Sequence, residues 1–372
     1  MFEKRGNKGD IYWFCFTETG FGCTILSEQG VLSMGYRYTQ PQVFVDHQAQ
    51  KRSGHMGHAF AKTKEGRILS FYSNCDYDRV QGHSGYGWME YKVSVDHGLS
   101  WGDKRVLPYS MEMFRQGEHT ALCEKALSTQ DGDIICLFQI TDASKPISCL
   151  PFGKPTFIVS GDGGETWSEA GIACEREGRI YDAKTYGAHS QFLVHRNDDF
   201  IGSRPEHDFA LYEWSAPDKA FYLKSTLPGN SIGKGYCCME YDAEGTLYAY
   251  TYDSLDEFRM QRFVSCDFGK SWEDGGTGYF DKKIRNPQLV CTSGGWFLHG
   301  RNGDRGDGLV IYHSNDGLSW DKGEMIITRP GPGVGYYSNN IYIPEANRVL
   351  IQFSHVYDLN RVNIMHMTIE NV

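Results

Sequence analysis

The chain reads as an all-β protein assembled from one repeated unit, and three observations predict this. The pattern Ser-x-Asp-x-Gly-x-(Ser/Thr)-Trp occurs at residues 94–101, 160–167 and 265–272, with a copy one residue shorter at 314–320. Each copy follows a short β-rich run, such as Tyr91-Lys-Val-Ser or Phe157-Ile-Val-Ser. The 43 Gly, 23 Tyr and 21 Phe among 372 residues suit short strands joined by many tight turns. One such turn would be a loop, whereas four spaced by tens of residues form a repeat.

Each residue of the motif has a mechanical part. Ser and Asp side chains hydrogen-bond their own turn, Gly accepts a positive φ, and Trp packs the turn onto the neighbouring sheet. A second repeat, upstream of these turns, counts the units. A short apolar run passes through a turn into a second strand, and the runs open at His58, His119, His189, Tyr236, Asn286 and Tyr337, which gives six units. The third has only Tyr212-Glu-Trp214-Ser-Ala-Pro-Asp where the motif belongs. The sixth ends the chain at Val362-Asn-Ile-Met-His-Met-Thr-Ile, so the N-terminal segment Asp10-Ile-Tyr-Trp-Phe-Cys-Phe is expected to complete it and leave no open edge.

These turns resemble the Asp boxes, or BNR repeats, of sialidase-like β-propellers. The resemblance implies a six-bladed β-propeller whose ring is closed by the N-terminal strand. It also implies a sugar-binding cleft at the centre of one face, with the Asp boxes on the periphery. No linker or low-complexity tract interrupts residues 1–372, so one domain is expected.

Composition bounds the partners. A net charge of −10 argues against nucleic acid. No apolar stretch is long enough for a membrane span or a signal-peptide core. Eleven Cys, an odd number without framework spacing, read as thiols in a reducing compartment, and adjacent Cys237 and Cys238 as opposite-facing strand positions. The expectation is a cytoplasmic protein with no membrane partner and no cofactor. The resemblance adds an oligosaccharide or glycoconjugate bearing an acidic sugar.

In a propeller the innermost strands start at the face that carries the cleft, so the residues opening the six runs should converge. They include His55, His58, Glu118, His119, Tyr186, His189, Tyr236, Arg285, Asn286, Tyr336 and Tyr337. Three His at matching places suggest a polar cluster for proton transfer, with a divalent metal as the alternative. Loops after the inner hairpins add Asp76, Asp78, His83, Arg204, Arg301, Arg305 and His355.

In sialidases of this fold three Arg grip the substrate carboxylate, a Tyr assisted by a Glu is the nucleophile, and an Asp of the first blade is the acid/base. By resemblance, Tyr337 in Gly335-Tyr-Tyr337-Ser-Asn carries the nucleophile and Arg301 and Arg305 belong to the carboxylate grip. Asp78 or Glu118 donates the proton. Arg285, Tyr336, His83 and Arg204 are further substrate-binding candidates. The chain departs from the pattern in two places. His55-Met-Gly-His58 stands where the first Arg belongs, and Asn286 stands where the Glu should precede Pro287. A sialidase-like hydrolase is therefore expected first. A lyase cleaving a uronic-acid glycoside by β-elimination, using His58, His119 and His189 with Tyr337, comes second, and a binding propeller without turnover third.

Overall fold

The computed structural model of the chain describes residues 35–76, 86–143, 150–303, 308–328, 335–358 and 361–372, with the backbone of three strands nearer the N-terminus. Its sheets form a six-bladed antiparallel β-propeller. The innermost strands of the blades, in order, are Ala59–Lys62, His119–Ser128, Arg179–Tyr186, Lys234–Tyr241, Arg285–Thr292 and Ser338–Ile343. Each packs against the next, and the sixth returns to the first.

Burial follows the layering. Second strands such as Ile68–Asp76 and Ile134–Asp142 are buried almost throughout, because both faces of a blade meet neighbours. The outermost strand Glu273–Tyr279 is mostly exposed and carries acidic residues, Gly and Thr. An apolar cluster fills each gap between blades. Ala59 and Phe71 meet Ile134 and Phe138 between blades 1 and 2, and Phe60 and Ile68 meet Ile343 and Leu350 between blades 1 and 6. The helix Pro108–Gln116 links blades 1 and 2, with Pro at its start and Gly117 ending it at φ +79°. No helix among the described residues is long and apolar enough to cross a membrane.

The four Ser-x-Asp turns share one hydrogen-bond scheme. Asp96 Oδ1 accepts from Ser94 Oγ at 2.8 Å and from the Ser100 N–H at 2.9 Å, while the Gly98 N–H donates to Ser94 Oγ at 2.8 Å. Asp162 and Asp267 repeat it, and the shorter turn keeps the Ser314–Asp316 and Ser319–Asp316 bonds. Three of these turns dock on the preceding blade. Tyr91 Oη donates to the Gly164 carbonyl at 2.7 Å, Ser225 Oγ to Gly269 at 2.5 Å, and Tyr250 Oη to Gly317. Blade 3 substitutes a simpler turn in which Ser215 Oγ donates to Asp218 Oδ2 at 2.7 Å.

Two expectations need correction in detail. The N-terminal side does close the ring, but the segments paired with Arg361–Glu370 are Arg37–Tyr38 and Gln42–Val45. Ile11–Thr17 lies further out, paired through Gly20–Leu26. Residues 37–45 win the inner place through specific contacts. Thr39 Oγ1 accepts the Thr368 N–H at 2.8 Å, and Phe44 stacks on His366 with centroids 3.7 Å apart. In blade 3 the innermost strand is Arg179–Tyr186, and His189–Arg196 is the second. Asp182 and Lys184 interrupt the apolar pattern of Arg179–Tyr186, which hides it from a periodicity reading.

Candidate active site

Register breaks aim side chains at the axis. The inner strands of blades 2 to 5 lose register once each, between Cys123/Lys125, Ile180/Asp182, Lys234/Cys237 and Arg285/Gln288. A bulge leaves its extra residue unpaired and turns it off the ladder. The residues released are Glu124, Tyr181, Tyr236 and Asn286, the last at φ +54°. In blade 6 a backward turn does the same work. Tyr336 adopts φ +64° and stacks on Phe353, and the next residue, Tyr337, lines the channel.

Three guanidinium groups meet there. Arg179, at the start of its strand, is 2 % exposed. Its Nη2 donates to Glu124 Oε2 at 3.1 Å, while Nε and Nη1 have no hydrogen-bond partner. Aromatic rings surround it, with Tyr181 at 5.2 Å, Phe200 at 5.5 Å, Tyr337 at 5.7 Å and Tyr236 at 5.9 Å. Arg285 donates from Nη2 to Tyr236 Oη at 3.4 Å and lies 3.8 Å from Glu257. Arg301, 1 % exposed, sits directly across the ladder from Arg285 and 5.0 Å above the Tyr337 ring. Like charges placed opposite each other destabilise a sheet, so the arrangement is suited to an anion. Beside Arg179 a space of about 30 Å³, room for a pair of waters, is lined by Glu124, Tyr181, Tyr236, Asn286 and Tyr337.

The two phenols differ. Burial would raise Tyr236, but Arg285, Arg301 and Arg179 outweigh it and hold its pKa below the ordinary tyrosine value. Tyr337 stands above that value, pushed up by burial and by Tyr236 against the pull of the same arginines. Beneath them a polar floor crosses the channel. Lys125 Nζ donates to Gln288 Oε1 and to Asn339 Oδ1 (3.0 Å), and lies 3.5 Å from Asp182 Oδ1.

Of the residues singled out in the sequence, Tyr337, Arg301 and Arg285 lie together. His58 is in the floor with both ring nitrogens engaged. Nδ1 takes a hydrogen bond from Gln352 Nε2 at 3.0 Å, and Nε2 meets the His55 carbonyl at 3.1 Å. Burial lowers its pKa to about 3, so it is a neutral, positioned histidine. Glu118 and His119 are exposed at the rim, before Glu124 on the same strand. His189 lies at the far end of blade 3, opposite Tyr186, where it contacts Glu213 and stacks on Phe268. The three His are therefore dispersed along the channel. Arg204 is an exposed loop residue bound to His207 and Asp198, and Tyr336 points into the packing between blades. Asp78, His83 and Arg305 lie outside the described residues. Among the described residues no three His, Cys, Asp or Glu side chains are gathered to hold a metal ion.

Sequence reasoning did not select Arg179, Glu124 or Glu257, nor choose Tyr236 from among the axis residues. Arg179 carried a usable signal, since Arg179-Ile-Tyr opens its strand as Arg285-Asn-Pro opens the fifth.

Comparisons with known proteins bear on the fold. No protein-family model and no curated protein sequence matches the chain. Solved structures do. A protein of unknown function from Dyadobacter fermentans superposes with a TM-score of 0.69 at 13 % identity, covering 90 % of this chain and 99 % of that one. The Hadza microbial sialidase Hz136 gives 0.67 at 12 %, over 96 % and 74 %. The intramolecular trans-sialidase of Ruminococcus gnavus, solved with oseltamivir carboxylate, gives 0.60 at 10 %, over 88 % and 97 %. The chain thus has the fold of sialidase-like six-bladed propellers, a scaffold shared by sialidases and arabinanases.

Proposed function

We propose that the chain is a glycoside hydrolase acting on a terminal acidic sugar of an oligosaccharide or glycoconjugate, with Tyr337 as nucleophile. The observation that carries this reading is the meeting of Arg179, Arg285 and Arg301 around Tyr337. Guanidinium forks suit a carboxylate, and a neutral phenol approaches an anionic anomeric centre without charge repulsion. The small chamber narrows the substrate further. Carboxylate and reacting carbon must be neighbours to engage the arginines and Tyr337 together, which favours an acid group borne on the anomeric carbon, as in sialic acids. Asp78 remains the proton donor by resemblance. A reducing cytoplasmic setting is supported by eight free thiols among the described residues, six of them buried.

The phenol pair favours one second reading. Tyr236 and Tyr337 beside arginines that neutralise a carboxylate also suit β-elimination from a uronic-acid glycoside. A screen of sialosides and uronides with mass detection separates the two, since hydrolysis adds water and elimination leaves a conjugated double bond. Hydrolysis of a sialoside is expected. Arg301→Lys should lower kcat/KM on the order of 10- to 100-fold, because an ammonium cannot reproduce the fork. Near-normal turnover in both Arg301→Lys and Tyr337→Phe would remove this reading.

A further inference from the structure

We propose that the hollow beside Arg285, walled by Ile201, Leu255 and Phe258, is a second saccharide subsite that receives a neutral hexose ring of the leaving group. The inference rests on the glycosidase reading above. Placement supports it first. The loop after the second strand of blade 4 begins at Asp253, which pairs with Lys234 at the start of the inner strand. It therefore rises at the same mouth as Arg285, the first residue of its own inner strand. Arg285 forms one wall of the hollow, and Tyr252, with its ring 5.6 Å from that guanidinium, forms another. The volume is about 350 Å³, within the range of roughly 300–1,000 Å³ in which small ligands are held. The acidic sugar of that reading is terminal, so a ring seated next to it belongs to the leaving group.

Rigidity supports it second. Leu255 is 86 % exposed and Phe258 43 %, yet the loop that carries them is strapped on both sides. The Leu255 N–H donates to Asp253 Oδ1 at 2.9 Å, and Ser254 Oγ donates to the Gly233 carbonyl at 2.6 Å. The carbonyls of Glu257 and Phe258 accept the N–H groups of Ile284 and Phe280 at 3.0 and 2.9 Å. The backbone thus holds these apolar side chains out in water beside a polar cleft, and such surface marks a place of contact.

The chemistry of the lining names the occupant. A hexose offers a face of C–H bonds and a rim of hydroxyls. Ile201, Leu255 and Phe258 meet the face, while Ser254, Asp256, Glu257 and Lys283 edge the same hollow with donors and acceptors. Lys283 Nζ stands 6.0 Å from the Phe258 ring, which sets a donor beside the aromatic wall. Charge decides against a second acidic sugar. The carboxylates of Asp256 and Glu257 balance the cations of Lys283 and Arg285, with Glu257 3.4 Å from one and 3.8 Å from the other. No surplus positive charge is left in this lining for an anionic ring. A ring seated here is held alike before and during bond cleavage, so its contribution falls on KM more than on kcat.

The test compares the full chain with Phe258→Ala, Phe258→Tyr and Leu255→Asp on two substrates, a methyl sialoside and a trisaccharide in which sialic acid caps lactose. The wild type should prefer the trisaccharide by about 10-fold in kcat/KM, chiefly through KM. Phe258→Ala and Leu255→Asp should erase that preference and leave the methyl glycoside within about twofold, whereas Phe258→Tyr should keep it. Equal losses on both substrates, or no loss on the trisaccharide, overturn the proposal. Saturation-transfer NMR with the trisaccharide needs no turnover. Saturation of the lactose protons is expected in the wild type and should fade in Phe258→Ala. If neither glycoside is cleaved, the glycosidase reading falls, and that signal still decides the subsite: its presence keeps the sugar site, and its absence sinks it.

Discussion

Arg179 is almost wholly buried, yet only one of its nitrogens meets a protein acceptor. Leaving a guanidinium in that state costs several kcal/mol, a cost tolerated where an anion is to be received. Arg179→Lys is accordingly expected to raise KM for the acidic substrate about 10-fold or more, measured by initial rates. Arg285→Lys should likewise lower kcat/KM, since Arg285 stands across the ladder from Arg301 and donates to Tyr236 Oη. His119→Ala and His189→Ala should leave both constants within about twofold, since one residue is at the exposed rim and the other at the far end of its blade. A large kcat loss in His119→Ala would instead point to elimination with a rim base.

At the level of strands and turns, two features do separate jobs. The Ser-x-Asp turns hold blades together at the periphery, and the register breaks shape the axis. Asp267→Ala removes the acceptor of Ser265 Oγ and of the Ser271 N–H and hydroxyl. It should lower Tm by about 2–4 °C and leave kcat/KM unchanged, as scanning calorimetry and rate assays would show. The difference in job explains what could be read from sequence. A turn is local, so its spacing and the six-blade count are written in consecutive residues. Tyr337 and Arg301 could be picked out because their local segments resemble those of sialidase-like propellers, and Arg285 because it opens an inner run. Glu124 and Tyr236 could not be singled out in the same way. Their direction depends on a one-residue slip of pairing, which leaves no mark in apolar periodicity. Arg179 was hidden by the charges that follow it, Asp182 and Lys184, which are buried only because the axis supplies Lys125 and Glu240 as partners.

The whole molecule carries its histidines in a way that fixes its acid behaviour. Burial lowers His47 to about 4 and His58, His195 and His299 to about 3. These groups stay neutral in the fold but take up protons near pH 6.5 once unfolded. The unfolded state therefore binds more protons between about pH 6.5 and 3, and stability falls as pH drops through that window, by up to about 1.4 kcal/mol per group per pH unit. Tm measured from pH 7.5 to 4.5 should decline steadily, and His299→Gln should shallow the slope. A flat profile would mean that these rings are not buried neutral.

The floor of the channel has a consequence for traffic. Lys125, Gln288, Asn339 and Asp182 bar the bore below the arginines, so whatever enters from the mouth has no rear exit. On the proposed reading, a freed acidic sugar would back out along the route by which the next donor arrives, keeping its carboxylate while it does so. Product should therefore act as a competitive inhibitor.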